Sequence, residues 1–301
     1  MTGRELLRTQ PGALLPRLWR FVHKPWREQL SFLKLRCVRI LLSVPIPIRL
    51  PFGAWWLAES DACGTSVFLG RFEIAERLFV ERFLRPGMNV LDIGAHHGFY
   101  TLLASQKVSP TGRVVAFEPS PREYRKLLRH LRLNGCDNVR ARNCALGSRE
   151  GKAELFLVEG RETGCNSLRP PNAGEPTKTV PASVSTLDSC LKQEKVDQVD
   201  FIKLDVEGAE MEVLQGAEEL LARLPRPVFL CEVQDVRCRP WGYEAREIIL
   251  LLERLGYHWF LPTVTGGLEP VCAGETRFNG NFVAVPIERL YDTDCFGQML
   301  R

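Results

Sequence analysis

Residues 89–104 read NVLDIGAHHGFYTLLA. An apolar run ends in Asp92, turns through Gly94 and Gly98, and continues with the apolar spacing of a helix. A strand that turns this tightly into a helix delivers the helix's unpaired N–H groups to one point, where they suit an anionic or polar ligand. Glycines at 94 and 98 are expected to let the backbone approach that ligand closely. The stretch is not the dinucleotide fingerprint. GxGxxG read from Gly94 needs glycines where His96 and Phe99 stand, so a dehydrogenase is disfavoured.

The pattern around it is regular. Strands are predicted at 89–93, 113–118, 139–144, 199–205, 227–233, 257–261 and 281–285. Helices are predicted at 98–107, 121–133, 208–223 and 243–255. This alternation argues for an α/β fold with a mostly parallel sheet covered on both faces. Upstream, residues 47–60 read as short strands about a turn at Pro51–Gly53. Residues 71–87 read as an amphipathic helix stopped by Pro86–Gly87. Residues 153–187 break the alternation with two strand-like runs around a polar, Pro/Gly-rich loop, a candidate acceptor-side lid.

The second predicted strand runs into AFEPSP, 116–121. Glu118 follows the glycines by about twenty residues, where an acid can accept hydrogen bonds from both ribose hydroxyls of a nucleoside. Together the two motifs favour a nucleoside-binding α/β domain.

Charge is unevenly spread over the 301 residues. Residues 1–50 carry ten Lys/Arg and two Glu, and the remaining 30 bases and 34 acids leave the body mildly acidic. A basic groove for nucleic acid across the body is therefore disfavoured. In the arm, Leu30, Leu33, Cys37, Ile40 and Leu41 recur at helical spacing among arginines. Two readings stay open for residues 14–42: a helix packed on the body with a solvated basic face, or peripheral contact with an anionic membrane surface. The run ILLSVPIPI, 40–48, is too short and too proline-rich to span a bilayer. No secretory leader is recognised. The ten cysteines are scattered without zinc-ligand spacing, and most read as small buried apolar residues in a reducing, cytoplasmic compartment. Oligomeric state is not legible.

The order VLDIGAHHGFYTLLA, VVAFEPSPREYRKLLRHLRLN, NCALGSREG, LDSCL and VDFIKLDVEGAEMEVLQGA closely resembles the FkbM family of S-adenosylmethionine-dependent methyltransferases, over roughly residues 68–285. The resemblance implies a class I methyltransferase, Rossmann-like fold with a mostly parallel seven-stranded sheet and helices on both faces. That domain is placed at 68–301, behind a basic helical and β extension at 1–67. O-methylation of a sugar, glycolipid or similar natural-product hydroxyl is the implied activity. Carried over, Asp92, Gly94, Ala95, His96 and Gly98 line the methionine part of S-adenosylmethionine. Glu118 takes the ribose, and Pro119, Ser120, Asn143, Cys144 and Ala145 flank the adenine. His96 departs from the family's usual Asn. His97 reads as a partly exposed turn residue.

In this fold the fourth strand ends beside the methionine, facing the acceptor. DVEG, 205–208, is that end. Asp205 is the expected base for the acceptor hydroxyl, a poor nucleophile at neutral pH. Glu207 either positions acceptor or cofactor, or only favours the start of the next helix. Glu232, ending the next strand, is expected beside Asp205. Such a pair can share a proton or hold Mg²⁺, but with no third oxygen ligand evident a metal is disfavoured and no metal ligand is assigned. Asn279 and Asn281 read as acceptor-hydroxyl ligands or as turn residues around Gly280.

Overall fold

The computed structural model describes residues 35–171, 174–271, 278–292 and 296. Most of the predicted arm, including 14–34, lies outside the described residues. Residues 35–41 are helical. Just beyond, Leu42 is buried, whereas Ile40, Leu41 and Val44 are exposed. Among the described residues no helix is long and apolar enough to cross a membrane.

A hairpin of β1 (Ile46–Arg49) and β2 (Trp55–Ala58) leads through α1 (Ala62–Phe68) and α2 (Ile74–Phe83) into the alternating body. The body opens with β3 (Asn89–Ile93), α3 (Phe99–Val108), β4 (Arg113–Phe117), α4 (Pro121–Asn134) and β5 (Val139–Arg142). A small sheet interrupts it, made of β6 (Ala145–Leu146), β7 (Gly151–Val158) and β8 (Thr177–Ser185). The chain continues through α5 (Leu187–Glu194), β9 (Phe201–Leu204), α6 (Glu210–Gln215), α7 (Glu218–Ala222) and β10 (Val228–Gln234). It then runs through α8 (Asp235–Cys238), α9 (Ala245–Arg254), β11 (Tyr257–Pro262), β12 (Leu268–Pro270) and β13 (Asn279–Pro286).

The main sheet has the order β12-β11-β13-β10-β9-β3-β4-β5. β10, β9, β3, β4 and β5 are parallel, and β13 runs antiparallel between β10 and β11. This is the class I methyltransferase strand order, with the switch in direction of winding between β3 and β9. Ligands bind at such a switch, beyond the carboxyl ends of the strands. Seven strands were expected, and among the described residues the main sheet has eight. The extra one, β12, is a three-residue edge strand hairpinned onto β11, too short to carry an alternating pattern. The predicted 208–223 helix is two helices, α6 and α7, parted at Gly216–Ala217.

Central strands are buried on both faces, which is why they read as apolar runs broken only by Asp92 in β3 and Lys203 in β9: all four residues of β9 are buried, as are the last four of β3 and β4. The β1–β2 hairpin is tied into this body. Trp56 is fully buried, its ring stacked on His130 of α4 at 4.1 Å. The Leu57 N–H donates to His130 Nε2 at 3.0 Å, so the His130 proton sits on Nδ1 and is donated to the His97 carbonyl at 2.7 Å. Only the neutral ring can make both bonds.

Burial accordingly lowers the His130 pKa. An unfolded histidine takes a proton near pH 6.5 while this one resists it. The stability His130 contributes is therefore complete above pH 6.5 and lost as pH falls. The expected slope approaches about 1.4 kcal/mol per pH unit from this group. Thermal denaturation from pH 7.5 to about pH 5 checks it, and His130→Gln should flatten the curve.

Candidate active site

One cleft lies over the carboxyl ends of β3, β4, β9 and β10, with about 1170 Å³ of space between atoms, part of it open to solvent. Of the residues singled out from sequence, Asp92, Gly94, Ala95, His96, Glu118, Pro119, Cys144, Ala145, Asp205, Glu207 and Glu232 line it. Gly98, Ser120 and Asn143 are not among its lining residues.

Glu118 is the best-held group of the cleft. It is 5% exposed. Its Oε1 accepts from the Ser120 N–H and its Oε2 from the His96 N–H, both at 2.8 Å. Burial pushes its pKa up to about 8 against the two N–H bonds that favour the carboxylate, and ligand hydroxyls donating to it would favour the ionised form further. Ser120 thus acts through Glu118, while also capping α4 through the Glu123 N–H. Asn143 donates to the Glu118 and Pro119 carbonyls at 2.8 and 3.1 Å, fixing the β4–α4 turn.

Both glycines are required by protein neighbours. Gly94 has φ +85°, and a Cβ there would lie 1.7 Å from the Asp205 carbonyl oxygen. Gly98 has φ +91°, and its Cβ would meet Leu127 Cδ1 at 2.5 Å. The expected close approach is real, but it is made by the end of β9 and by α4. His96 takes the left-handed region at φ +48°. Its Nε2 is 3.1 Å from Thr163 Oγ1 on the loop between β7 and β8. That loop is the predicted lid segment. Thr163, Gly164, Asn166, Ser167 and Leu168 form one wall of the cleft. His97, expected partly exposed, is 3% exposed. The turn is covered by the β1–β2 hairpin, which sequence proximity does not reveal.

The other end of the cleft is built on the end of β9. Lys203 Nζ approaches Asp205 Oδ2 at 2.7 Å. Burial pulls the ammonium's pKa down, but the Asp205 and Glu73 carboxylates outweigh it and hold it above the ordinary lysine value. Glu207 does not open a helix. It sits in the left-handed region at φ +56°, and α6 begins only at Glu210. The turn's N–H groups go to Glu210 instead, whose Oε1 accepts from Val206 at 3.0 Å and Gly208 at 3.3 Å. Glu207 is left to meet Arg237 of α8, Oε2 to Nε 2.7 Å, as an ion pair without hydrogen-bond alignment. Burial, then Asp205, raise the Glu207 pKa to about 8.

Glu232 lies one step beyond the Cys231–Leu204 pair of β10 and β9, so it neighbours Asp205 as expected. Gln234 Nε2 donates to its Oε1 at 2.7 Å, while its Oε2 has no partner among the described residues. Burial, then Asp205 and Glu207, raise its pKa well above the carboxylate range. Carboxylate oxygens of Asp205, Glu207 and Glu232 come within 4.8 Å of one another. Glu207 is thus the third carboxylate beside the pair, which the sequence did not reveal. A second group, Cys63, His96 and His97, is equally close. The two histidine rings there stack at 3.7 Å and 16°, so their lone pairs lie in near-parallel planes and do not converge on one ion.

Sequence reasoning missed Lys203, Glu73 and Tyr100, which also line the cleft. Tyr100 OH donates to Glu73 Oε2 at 2.6 Å. Glu73 holds φ +38°, a left-handed conformation that non-glycine residues adopt chiefly where surroundings over-determine it. For Lys203 a signal was available: a lysine inside an otherwise apolar strand needs a partner. Asn281, predicted at the acceptor, stands opposite Glu232 on β13 with its Oδ1 3.4 Å from Lys203 Nζ. Asn279 lies at the exposed start of that strand.

Strand order and a cleft with a buried acid at the second strand define a class I methyltransferase domain. The family profile described as Methyltransferase FkbM domain matches residues 92–259, over half of the chain, and the chain belongs to that family. Among similar proteins, Methyltransferase 1 of Beauveria bassiana (strain ARSEF 2860) is 28% identical over 146 residues, 43% of this chain and 58% of its own. The 31-O-demethyl-FK506 methyltransferase FkbM of Streptomyces tacrolimicus is 28% identical over 263 residues, 75% of this chain and 92% of its own. The 2-O-methyltransferase NoeI of Sinorhizobium fredii (strain NBRC 101917 / NGR234) is 27% identical over 159 residues, 49% of this chain and 64% of its own. The chain thus spans under two thirds of the length of the first and the third.

Proposed function

We propose that this methyltransferase moves a methyl group from S-adenosylmethionine to a hydroxyl oxygen of a sugar, glycolipid or similar natural-product acceptor. The observation that carries the reading is one cleft with a differently prepared carboxylate at each end. Glu118, with one backbone N–H on each oxygen, keeps lone pairs for the two ribose hydroxyls. Phe117, Cys144 and Leu146 offer an apolar wall for adenine. Asp92, Ala95 and His96 border the methionine portion. At the other end Asp205 is the group to receive the acceptor's proton. The bound cofactor supplies the electrophilic methyl group, and the protein supplies alignment and exclusion of water.

Two of the similar proteins carry O-methyl transfer in their names, which favours oxygen over nitrogen as the acceptor atom. Glu207 and Glu232 are taken as acceptor-positioning groups beside the base. A divalent cation such as Mg²⁺ is the competing partner for Asp205, Glu207 and Glu232. No metal is assigned, because Lys203 and Arg237 already place two positive charges against this cluster. Residues 1–67 are proposed to help cover the acceptor, and residues 14–42 remain the candidate membrane contact.

The test is a panel of hydroxyl and amine acceptors incubated with methyl-labelled S-adenosylmethionine, the products resolved by NMR. An O-methyl ether on a glycan or natural-product hydroxyl is expected. Methyl transfer to amines alone would overturn the oxygen reading. Cofactor binding without turnover on any acceptor would favour a binding protein that has kept the fold. Adding Mg²⁺ at about millimolar concentration should leave the melting temperature unchanged, because a bound ion would raise it by mass action.

A further inference from the structure

Lys203 sits where a long apolar side chain would be expected. It lies mid-strand in β9, in register with Asp92 on one side and Leu230 on the other, and is 3% exposed. Burying an ammonium there is costly unless it is paired. Its Nζ is 2.7 Å from Asp205 Oδ2, 3.4 Å from Asn281 Oδ1 and 5.4 Å from the centre of the Tyr100 ring. Tyr100 in turn holds Glu73. Glu73, Asp205, Glu207 and Glu232 all line the cleft, and Lys203 is the one Lys or Arg that lines it among the described residues.

We propose that Lys203 is the internal counter-ion of Asp205 that keeps this carboxylate wall from over-stabilising the cofactor's sulfonium, and so acts as a positioning residue for methyl transfer. The inference rests on the S-adenosylmethionine reading above. As the acceptor's oxygen–carbon bond forms and the carbon–sulfur bond breaks, the electron pair goes to sulfur and the hydroxyl proton to Asp205. Sulfur therefore loses its positive charge on the way to the transition state. An unpaired carboxylate beside it would hold the reactant more tightly than the transition state and so slow the step. Lys203 removes that penalty while leaving Asp205 in one orientation, through one of its two oxygens. It also leaves the wall less negative once the neutral thioether has formed.

The test needs no acceptor. S-adenosylmethionine and S-adenosylhomocysteine differ by a methyl group and one positive charge, so the ratio of their calorimetric affinities reads the charge facing sulfur. Lys203→Met should raise the preference for S-adenosylmethionine by roughly tenfold, and Asp205→Asn should lower it by roughly tenfold. Lys203→Arg should stay within about twofold of wild type. A purely structural lysine would weaken both ligands equally. A ratio unchanged in Lys203→Met and in Asp205→Asn overturns the proposal. Should Lys203→Met not fold, Lys203→Gln, which keeps a donor on Asp205 Oδ2 without the charge, carries the test beside Asp205→Asn. If folded wild type binds neither ligand, the cofactor reading itself fails. Binding of both with a fixed ratio removes only the role given to Lys203.

Discussion

Asp205→Asn is expected to slow methyl transfer by about 10²–10⁴-fold, the usual contribution of a positioned general base. Binding of S-adenosylmethionine should fall by no more than roughly tenfold, so rate and affinity separate. The amide keeps the shape of the carboxylate and can still accept from Lys203, so the ladder of β9 is undisturbed. What it loses is the ability to take the hydroxyl proton. Single-turnover rates on the hydroxyl acceptor found in the panel measure this directly. An amine acceptor whose pKa lies at or below neutral already offers a free lone pair and would lose much less. A rate within about threefold of wild type on a hydroxyl acceptor would remove Asp205 as the base and turn attention to Glu232, one strand away.

Gly94→Ala is expected to be the most damaging single substitution at the cleft. The added Cβ would lie 1.7 Å from the Asp205 carbonyl oxygen, and the backbone is at φ +85°. Neither conflict can be relieved by a rotamer change, because both partners are backbone. The Asp205 N–H is bound to the Ile93 carbonyl at 3.0 Å and the Gly94 N–H to the Phe117 carbonyl at 3.0 Å, so separating the strands would break the sheet at its switch point. The cost is placed at about 4 kcal/mol or more, in the exceptional range for one substitution. Denaturant unfolding, or failure to yield soluble protein, checks it. By contrast Gly53→Ala, at φ +93° but with open space around it, should cost only about 1–2 kcal/mol of backbone strain.

The contrast shows what sequence could and could not reveal here. The strands were legible because burial on both faces leaves the buried parts of β3, β4 and β9 apolar but for Asp92 and Lys203. The loops at the strand ends were legible because Gly94 and Gly98 mark the tight turn after β3 and Glu118 the end of β4. Their partners were not. That Gly94 yields to the Asp205 carbonyl, and that Glu207 meets Arg237 rather than a helix dipole, depends on residues 111 and 30 positions apart that only the folded sheet brings together. Glu207 looked like a helix start because the acidic run 205–210 resembles an N-terminal turn, and the left-handed backbone at Glu207 leaves no mark in composition. His97 looked exposed because its cover, Trp56 at 6.2 Å between ring centres, comes from a hairpin forty residues upstream. Residues 14–34, which carry most of the membrane reading, lie outside the described residues.

The central claim is that this cleft holds S-adenosylmethionine with its ribose on Glu118. The direct measurement is calorimetric titration of the full-length protein with S-adenosylmethionine, wild type beside Glu118→Ala. Removing charge-assisted hydrogen bonds to the ribose is expected to cost roughly 1.5–3 kcal/mol, which is about a 10- to 150-fold loss of affinity. Saturable wild-type binding with a loss of that size is the result expected. Wild-type binding that Glu118→Ala leaves unchanged would contradict the orientation, and a folded wild type that takes up no cofactor would contradict the account as a whole.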